Sequence, residues 1–519
     1  MELSHTSGEE DDDLMQYFAF MDEDDEEAEQ LKIMKRILPI FSPDDDEPSS
    51  DSIINLPKRK RTCRQHYLEY IGVDGQIKIL TPTDTFWYIY YVLNGNNLTG
   101  RSLVKFRSRF RMPYDQFISL LSDLENHILF NRWKTGRTDR TGRAVSPLPL
   151  LLLGALRYLG RAWTFDDIEE ATAIDQETHR QFFHVFILYG STELYDKHIQ
   201  MPQTASAAAT HISIMAQAGF AGCIGSTDAT HISMNRCAHS LRRLHTGYKL
   251  PYPSRTYNLT CDHRRYILHT TSGHPASWND KTLQRFDTVM CDLQQGKLLD
   301  DVQFILYDTD EDGEVVEVLY QGAWLIVDNG YMSCSTAVPP MKKAFTTEEL
   351  RWSKWVESMR KDVECTFGIL KKRFAVLKTP IRLQGVVNVD RTWKTCCALH
   401  NMLHGIDNLD CYWGGIECSP LDFDIDGPEV PAAVQTLRST QQFPTSQPDD
   451  YSGMGNGNDL VDNIHADTNQ DVGSTDVSTT EVNIVRNLSQ ATFRSKLVTH
   501  LNILFEQNKL VWPKRSPAA

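Results

Sequence analysis

Ala323-Trp-Leu-Ile-Val-Asp328-Asn-Gly-Tyr331 is the stretch on which the reading of this 519-residue chain turns. Five apolar residues run without alternation and stop at an acid and a glycine. A short continuous apolar run bounded by turn residues is the pattern of a strand buried on both faces. Strands of that kind occupy the middle of α/β sheets, and Asp328 then stands at the carboxyl end of one. Upstream, residues 220–234, 255–260 and 266–272 read as three successive strands, the last two joined by the polar turn Asp262-His-Arg-Arg265. Residues 281–295 read as a helix, and Thr336-Ala-Val338 as a final strand ended by Pro339-Pro340. Downstream, residues 348–377 place Trp352, Val356, Met359, Val363, Phe367, Leu370 and Phe374 on one face of a long helix. A further helix spans 391–404.

Three carboxylates fall at comparable points of this pattern. Asp228 interrupts the first strand in Gly225-Ser-Thr-Asp-Ala-Thr-His231, Asp328 follows the apolar strand, and Glu364 lies at the edge of the long helix's apolar stripe. A lone aspartate at a strand end is ordinarily a turn or cap residue, whereas three at matching positions form a constellation. Hard divalent cations take oxygen ligands, and a pair of them about 3.5–4 Å apart can clamp both oxygens of a phosphodiester displacement. The order of hairpin strands, helix, buried strand and long helix matches an RNase H-like core.

The motifs carry a resemblance over residues 100–410 to the PIF/Harbinger-type DDE transposases and their domesticated nuclease relatives. Thr227-Asp-Ala-Thr-His-Ile232 resembles that family's D-G-T-H-I, with Ala229 for glycine. Pro275-Ala-Ser-Trp-Asn-Asp280 is similar to its P-G-S-x-x-D, and Asp328-Asn-Gly-Tyr331 to D-x-G-Y. Arg360-Lys-Asp-Val-Glu-Cys-Thr-Phe-Gly-Ile-Leu-Lys-Lys-Arg-Phe374 follows R-x-x-V-E-x-x-F-G-x-L-K-x-R-F, and Leu399-His-Asn401 matches L-H-N.

By that resemblance Asp228, Asp328 and Glu364 are expected to be catalytic and to bind Mg²⁺ or Mn²⁺, as two ions. Asp280 is a fourth acid, either an auxiliary metal ligand or the N-cap of the helix it opens. Arg360 precedes Glu364 by one helical turn and is expected to pair with it or to contact phosphate. Lys371, Lys372 and Arg373 are candidates for DNA contact against the reading of a solvated helix face. His231, at an odd offset from Asp228, points to the other face of its strand and is weighed as structural against DNA-contacting.

The flanks differ in composition. Residues 1–56 form an acidic tail expected to lack a stable fold. Residues 57–100 form a basic import-signal region and linker, opening with Lys58, Arg59, Lys60 and Arg61. Residues 101–200 are helical, and three helices with tight connections resemble a helix-turn-helix unit with 175–188 as recognition helix. The RNase H-like nuclease domain is expected over 218–410, a disordered linker over 421–481 and an amphipathic helix over 485–512. The formal net charge of −16 misleads. The first 51 residues contribute roughly −15 and residues 421–481 roughly −11, leaving a mildly basic middle that admits a polyanion.

No run reaches the roughly 18 apolar residues of a membrane span, and the N-terminus has no secretory pattern. The eleven cysteines form no C-x-x-C pair and read as reduced thiols. Asp308-Thr-Asp-Glu-Asp-Gly313 opens like a calcium loop, but Leu319 stands where a bidentate glutamate belongs, so a hairpin turn is expected. The expectation is therefore a nuclear protein, with cytoplasmic residence also open, acting on DNA as a metal-dependent endonuclease and transposase. The resemblance implies a separate Myb-like DNA-binding partner, and a homo-oligomer is a candidate assembly. The rivals are a retired transposase serving as a nuclear binding scaffold, and a nuclease acting on RNA or repair intermediates.

Overall fold

Leu148 to Leu153 is too short to span a bilayer and, in the computed structural model, every residue of it is buried except the half-buried Pro149. The structure describes residues 68–71, 75–138, 144–247, 249–407 and 482–510. The acidic tail, the basic run Lys58 to Arg61 and the 421–481 linker lie outside these residues. Among the described residues no helix is long and apolar enough to cross a membrane.

The chain is a mixed α/β protein with a helical N-terminal region and a mixed sheet. A hairpin, β1 (Leu68–Ile71) and β2 (Ile77–Leu80), comes first. Then follow α1 (Arg101–Phe110), α2 (Tyr114–Asn126), α3 (Leu148–Arg161), α4 (Phe165–Thr172), α5 (Gln176–Ser191), α6 (Glu193–His198) and α7 (Ala205–Gln217). Thr164 caps α4 in a reciprocal box with Asp167, and Asp175 caps α5 through Glu177 and Thr178 N–H, as their side chains suit them to do.

β3 (Cys223–Ser233), β4 (Ser254–Cys261) and β5 (Ile267–Thr270) form an antiparallel meander, with the short β6 (His274–Pro275) against β4. The predicted helix 281–295 is two helices, α8 (Asp280–Arg285) and α9 (Thr288–Gln295). They break at Asp287, whose side chain caps the second by accepting from Met290 N–H at 3.2 Å. β7 (Gln303–Thr309) and β8 (Val315–Gln321) make the expected hairpin, with Asp310 accepting from Asp312 and Glu314 N–H inside the turn. β9 (Trp324–Ile326) and β10 (Ala337–Val338) add parallel strands beside β3, so the sheet runs β10-β9-β3-β4-β5. α10 (Thr347–Arg373) and α11 (Val386–His404) follow.

Two results depart from the sequence reading. The helical region and the 218–410 region were expected as separate domains, but Phe106, Leu150, Phe182 and Phe186 share one apolar core with Ile232, Tyr257, Val363 and Trp393. The cause is α5, whose only exposed residues are Glu177, Arg180 and Gln181; its C-terminal half is buried, so it cannot lie whole in a DNA groove. The linker expected over 57–100 likewise delivers Trp87, Tyr91 and Leu98 to this core.

The second departure is at the C-terminus. β11 (Asn483–Ile484) pairs in parallel with β8, and α12 (Gln490–Glu506) seats Phe493, Leu497 and Leu501 in a second core with Trp324, Val356 and Met359. The terminal helix is therefore an integral layer of the α/β body. α10 joins the two cores, giving Val356 and Met359 to one and Val363, Phe367 and Leu370 to the other.

Candidate active site

β3 and β9 place two of the acids. Ser226 pairs with Ile326 across these parallel strands, and Asp228 and Asp328 each lie two residues further on. The two carboxylates thus occupy the same level at the carboxyl side of adjacent parallel strands, where open α/β sheets present their crevices. Gly225 permits the packing of β3, since a Cβ there would stand 2.3 Å from the carbonyl oxygen of Cys261.

Asp228 shares its sheet face with Leu259, its cross-strand partner, which packs in the core beside α10. On α10, Arg360 and Glu364 fall at the point where the helix passes from one apolar core to the other. Arg360 donates from Nη2 to Glu364 Oε1 at 2.8 Å and from Nη1 to Asp228 Oδ2 at 3.2 Å. The other Asp228 oxygen accepts from Ala229 N–H at 2.8 Å. Burial pushes the Asp228 carboxyl up to about 6; Ala229 N–H and Arg360 oppose the rise, and the charges of Asp328 and Glu364 add to it.

Asp280 and Asp328 converge on Gly330. A Cβ on Gly330 would lie 2.5 Å from Asp280 Oδ2 and 2.9 Å from Asp328 Oδ1, and Gly330 N–H donates to Asp328 at 2.7 Å. Burial, then the Asp328 charge, raises the Asp280 carboxyl against the pull of Lys249. Asp280 is not the N-cap of α8. Asn279 is, accepting from Thr282 N–H at 2.9 Å, which frees Asp280 in the first turn to face Asp328.

Beneath the acids lies a layer that sequence reasoning missed. The fully buried Tyr331 phenol is driven well above its ordinary range by burial and by Asp228, Asp280, Asp287 and Asp328. It donates to Asn258 Oδ1 at 3.2 Å, and Asn258 donates to the buried Asp287 at 3.1 Å. Tyr331 was visible as the last residue of D-x-G-Y; Asn258 and Asp287 carried no local signal because their roles arise from contacts between β4, α8–α9 and the loop after β9.

The basic candidates separate. Lys371 is turned back onto β3 and donates to Thr230 Oγ1 at 2.8 Å, two residues beyond Asp228. Lys372 is partly exposed. Arg373 is buried, ion-paired with Asp407 and donating to the His400 carbonyl, so it cannot reach DNA. His231 lies on the opposite side of β3 from Asp228, hydrogen-bonded to Thr256 Oγ1 at 2.9 Å, and burial lowers its imidazole to about 4.

As the side chains stand, no group of three or more His, Cys, Asp or Glu residues among those described is set to hold one metal ion. In this arrangement the Arg360 guanidinium bridges Asp228 and Glu364.

Residues 196–409 match the family model for plant transposon proteins. The matched segment runs from α6 through α11 and contains Asp228, Asp280, Asp328, Arg360 and Glu364. No curated protein and no solved structure matches the chain. The matched segment holds most of the stretch in which the Harbinger-type motifs were read, and it includes every acid of the site.

Proposed function

We propose that this chain is a metal-dependent DNA endonuclease of the DDE transposase type, built on an RNase H-like core. The observation that carries the reading is the equal placement of Asp228 and Asp328 past the Ser226–Ile326 pair, with Glu364 facing them from α10. The sheet order β5-β4-β3-β9-β10, antiparallel on one side of β3 and parallel on the other, supports the core assignment.

The donor set fits hard divalent cations. Every candidate ligand is a carboxylate, the opening between Asp280 and Asp328 is kept by a glycine, and a cationic guanidinium already satisfies Asp228 and Glu364. Asp228, Asp328 and Glu364 would hold Mg²⁺ or Mn²⁺, with Asp280 as auxiliary ligand. Such ions, when bound, supply a water of lowered pKa and charge stabilisation of the displaced oxygen. The chain's own part is to hold Asp228 and Asp328 level through β3 and β9, and to orient Asp328 through Gly330 N–H. Tyr331, Asn258 and Asp287 brace the loop behind them.

Function in the nucleus, import through Lys58 to Arg61 and cooperation with a Myb-like DNA-binding partner belong to the same proposal. Incubation of the purified chain with supercoiled plasmid and Mn²⁺ is the test, beside Asp328→Asn. Mn²⁺-dependent nicking lost in that variant is the expected result; equal nicking by both proteins would remove the acids from the mechanism.

A second reading, a retired transposase acting as a binding scaffold, is favoured by one observation: Arg360 bridges two of the three acids. Absence of nicking with every metal and with a DNA-binding partner supplied would favour it.

A further inference from the structure

Beyond the carboxylates, β3 leads to a second feature. Past its last residue, Met234 pairs with Ile381, and Asn235 N–H donates to the Ile381 carbonyl at 2.9 Å. This bridge sets Arg236 and Arg382 beside each other at the mouth of an open cleft of about 360 Å³. Arg180, from the exposed part of α5, completes a cationic rim, and Tyr158 and Phe165 form an aromatic wall, stacked at 4.8 Å. Three guanidinium groups face one carboxylate in the lining, that of Asp166.

The neighbouring acids are otherwise engaged. Asp167 is held in the cap of α4, Asp175 in the cap of α5, and Glu177 pairs with Arg180 at 2.5 Å. Arg236 and Arg382 are exposed, and among the described residues neither forms an ion pair. All three arginines line the same cleft as Tyr158, and their charges act on its phenol. Arginines lining one cleft, two of them without an ion pair, are the chemistry that recognises a phosphodiester, by charge and by forked hydrogen bonds.

The cleft also has a defined register to the acids. Arg236 lies eight residues beyond Asp228 on an almost wholly extended segment, a span of roughly 26 Å at about 3.3 Å per residue. That is about seven to eight nucleotide steps along a DNA strand. A smaller cleft, lined by Met234 and Asn235 of the same bridge with Arg242 and Tyr252, adjoins it.

We propose that the Arg180–Arg236–Arg382 cleft is a backbone-phosphate site for DNA, contacting a strand about seven nucleotides from the carboxylates. The proposal rests on the DNA-acting reading of the site but requires no cleavage. Its test is binding of the full chain to a fluorescent 30-base-pair duplex of random sequence in EDTA, as a function of salt. Arg236→Ala/Arg382→Ala should weaken binding by about tenfold or more near 0.1 M salt and lower the salt slope by about two. A control with two exposed lysines replaced elsewhere, Lys297→Ala/Lys354→Ala, should leave the slope nearly unchanged.

An unchanged slope in the arginine variant, or an equal fall in the control, overturns the site. So does selective loss of binding to a synthetic peptide of residues 1–30 with duplex binding intact, because the cleft would then hold an acidic peptide. A chain that never nicks plasmid but loses two units of slope in the arginine variant keeps the cleft and loses the nuclease.

Discussion

Arg360 and Glu364 lie one turn apart on α10 and are joined at 2.8 Å, while the same guanidinium reaches across to Asp228 on β3 at 3.2 Å. One cation therefore holds helix and strand together at the point where the acids meet. Replacing it by Arg360→Ala leaves two carboxylates facing each other. Thermal unfolding in EDTA should show a loss of about 1 kcal/mol, since the groups are partly solvated. On the metal-binding reading, Mn²⁺ should raise the melting temperature of the variant more than that of the wild type. Equal Mn²⁺ shifts would mean that arginine and metal do not compete.

Gly330→Ala tests the opening between Asp280 and Asp328. The added methyl would meet their carboxylate oxygens at 2.5 and 2.9 Å, inside contact distance. Forcing them apart should cost about 1–3 kcal/mol in urea unfolding and abolish any Mn²⁺-dependent nicking. A variant as stable and as active as wild type would show that the two acids need not converge.

Arg373 separates structure from DNA contact. Arg373→Ala would leave Asp407 buried with only Arg107 beside it. A loss of about 3–5 kcal/mol is expected, enough to lower soluble yield. Lys372→Ala, one residue away and partly exposed, should change stability by less than about 0.5 kcal/mol. Equal effects in circular dichroism melts would contradict the burial.

Acid should weaken the fold before the ordinary carboxylates titrate, Asp228 with its carboxyl raised to about 6 being the exception. Burial lowers His179 to about 3, and His245 and His500 to about 4. Each is neutral when folded but takes a proton near pH 6.5 when unfolded, so the unfolded state binds more protons below that pH. Stability is full above pH 6.5 and falls as the pH drops toward the folded values. Between pH 7.5 and 5.5 each histidine should cost roughly 1 kcal/mol. A urea midpoint that stays constant over that interval would exclude this.

Truncation after residue 481 should not yield a shortened stable protein. It removes Phe493, Leu497 and Leu501, which pack on Trp324 and Met359 under the central strands. Exposure of that face should give aggregation or binding of a hydrophobic dye; a soluble, cooperatively melting fragment would show that α12 is dispensable.

The elements around the site were legible because local chemistry writes them into the chain. The uninterrupted run Trp324–Val327, the apolar stripe of α10 and the capping pair Thr164–Asp167 each report their own surroundings within a few residues. The acids could be singled out for the same reason, since each stands at a break in such a pattern. What covers a face is another matter. Periodicity shows that α12 and α5 have apolar surface, but not that one closes the second core and the other fuses the helical region to the sheet. Nor could spacing reveal that Asp280 faces Asp328 instead of capping α8, or that Arg373 turns inward to Asp407. Those outcomes are set by groups that lie far apart along the chain and meet only when it folds, where burial fixes which charge must find which partner.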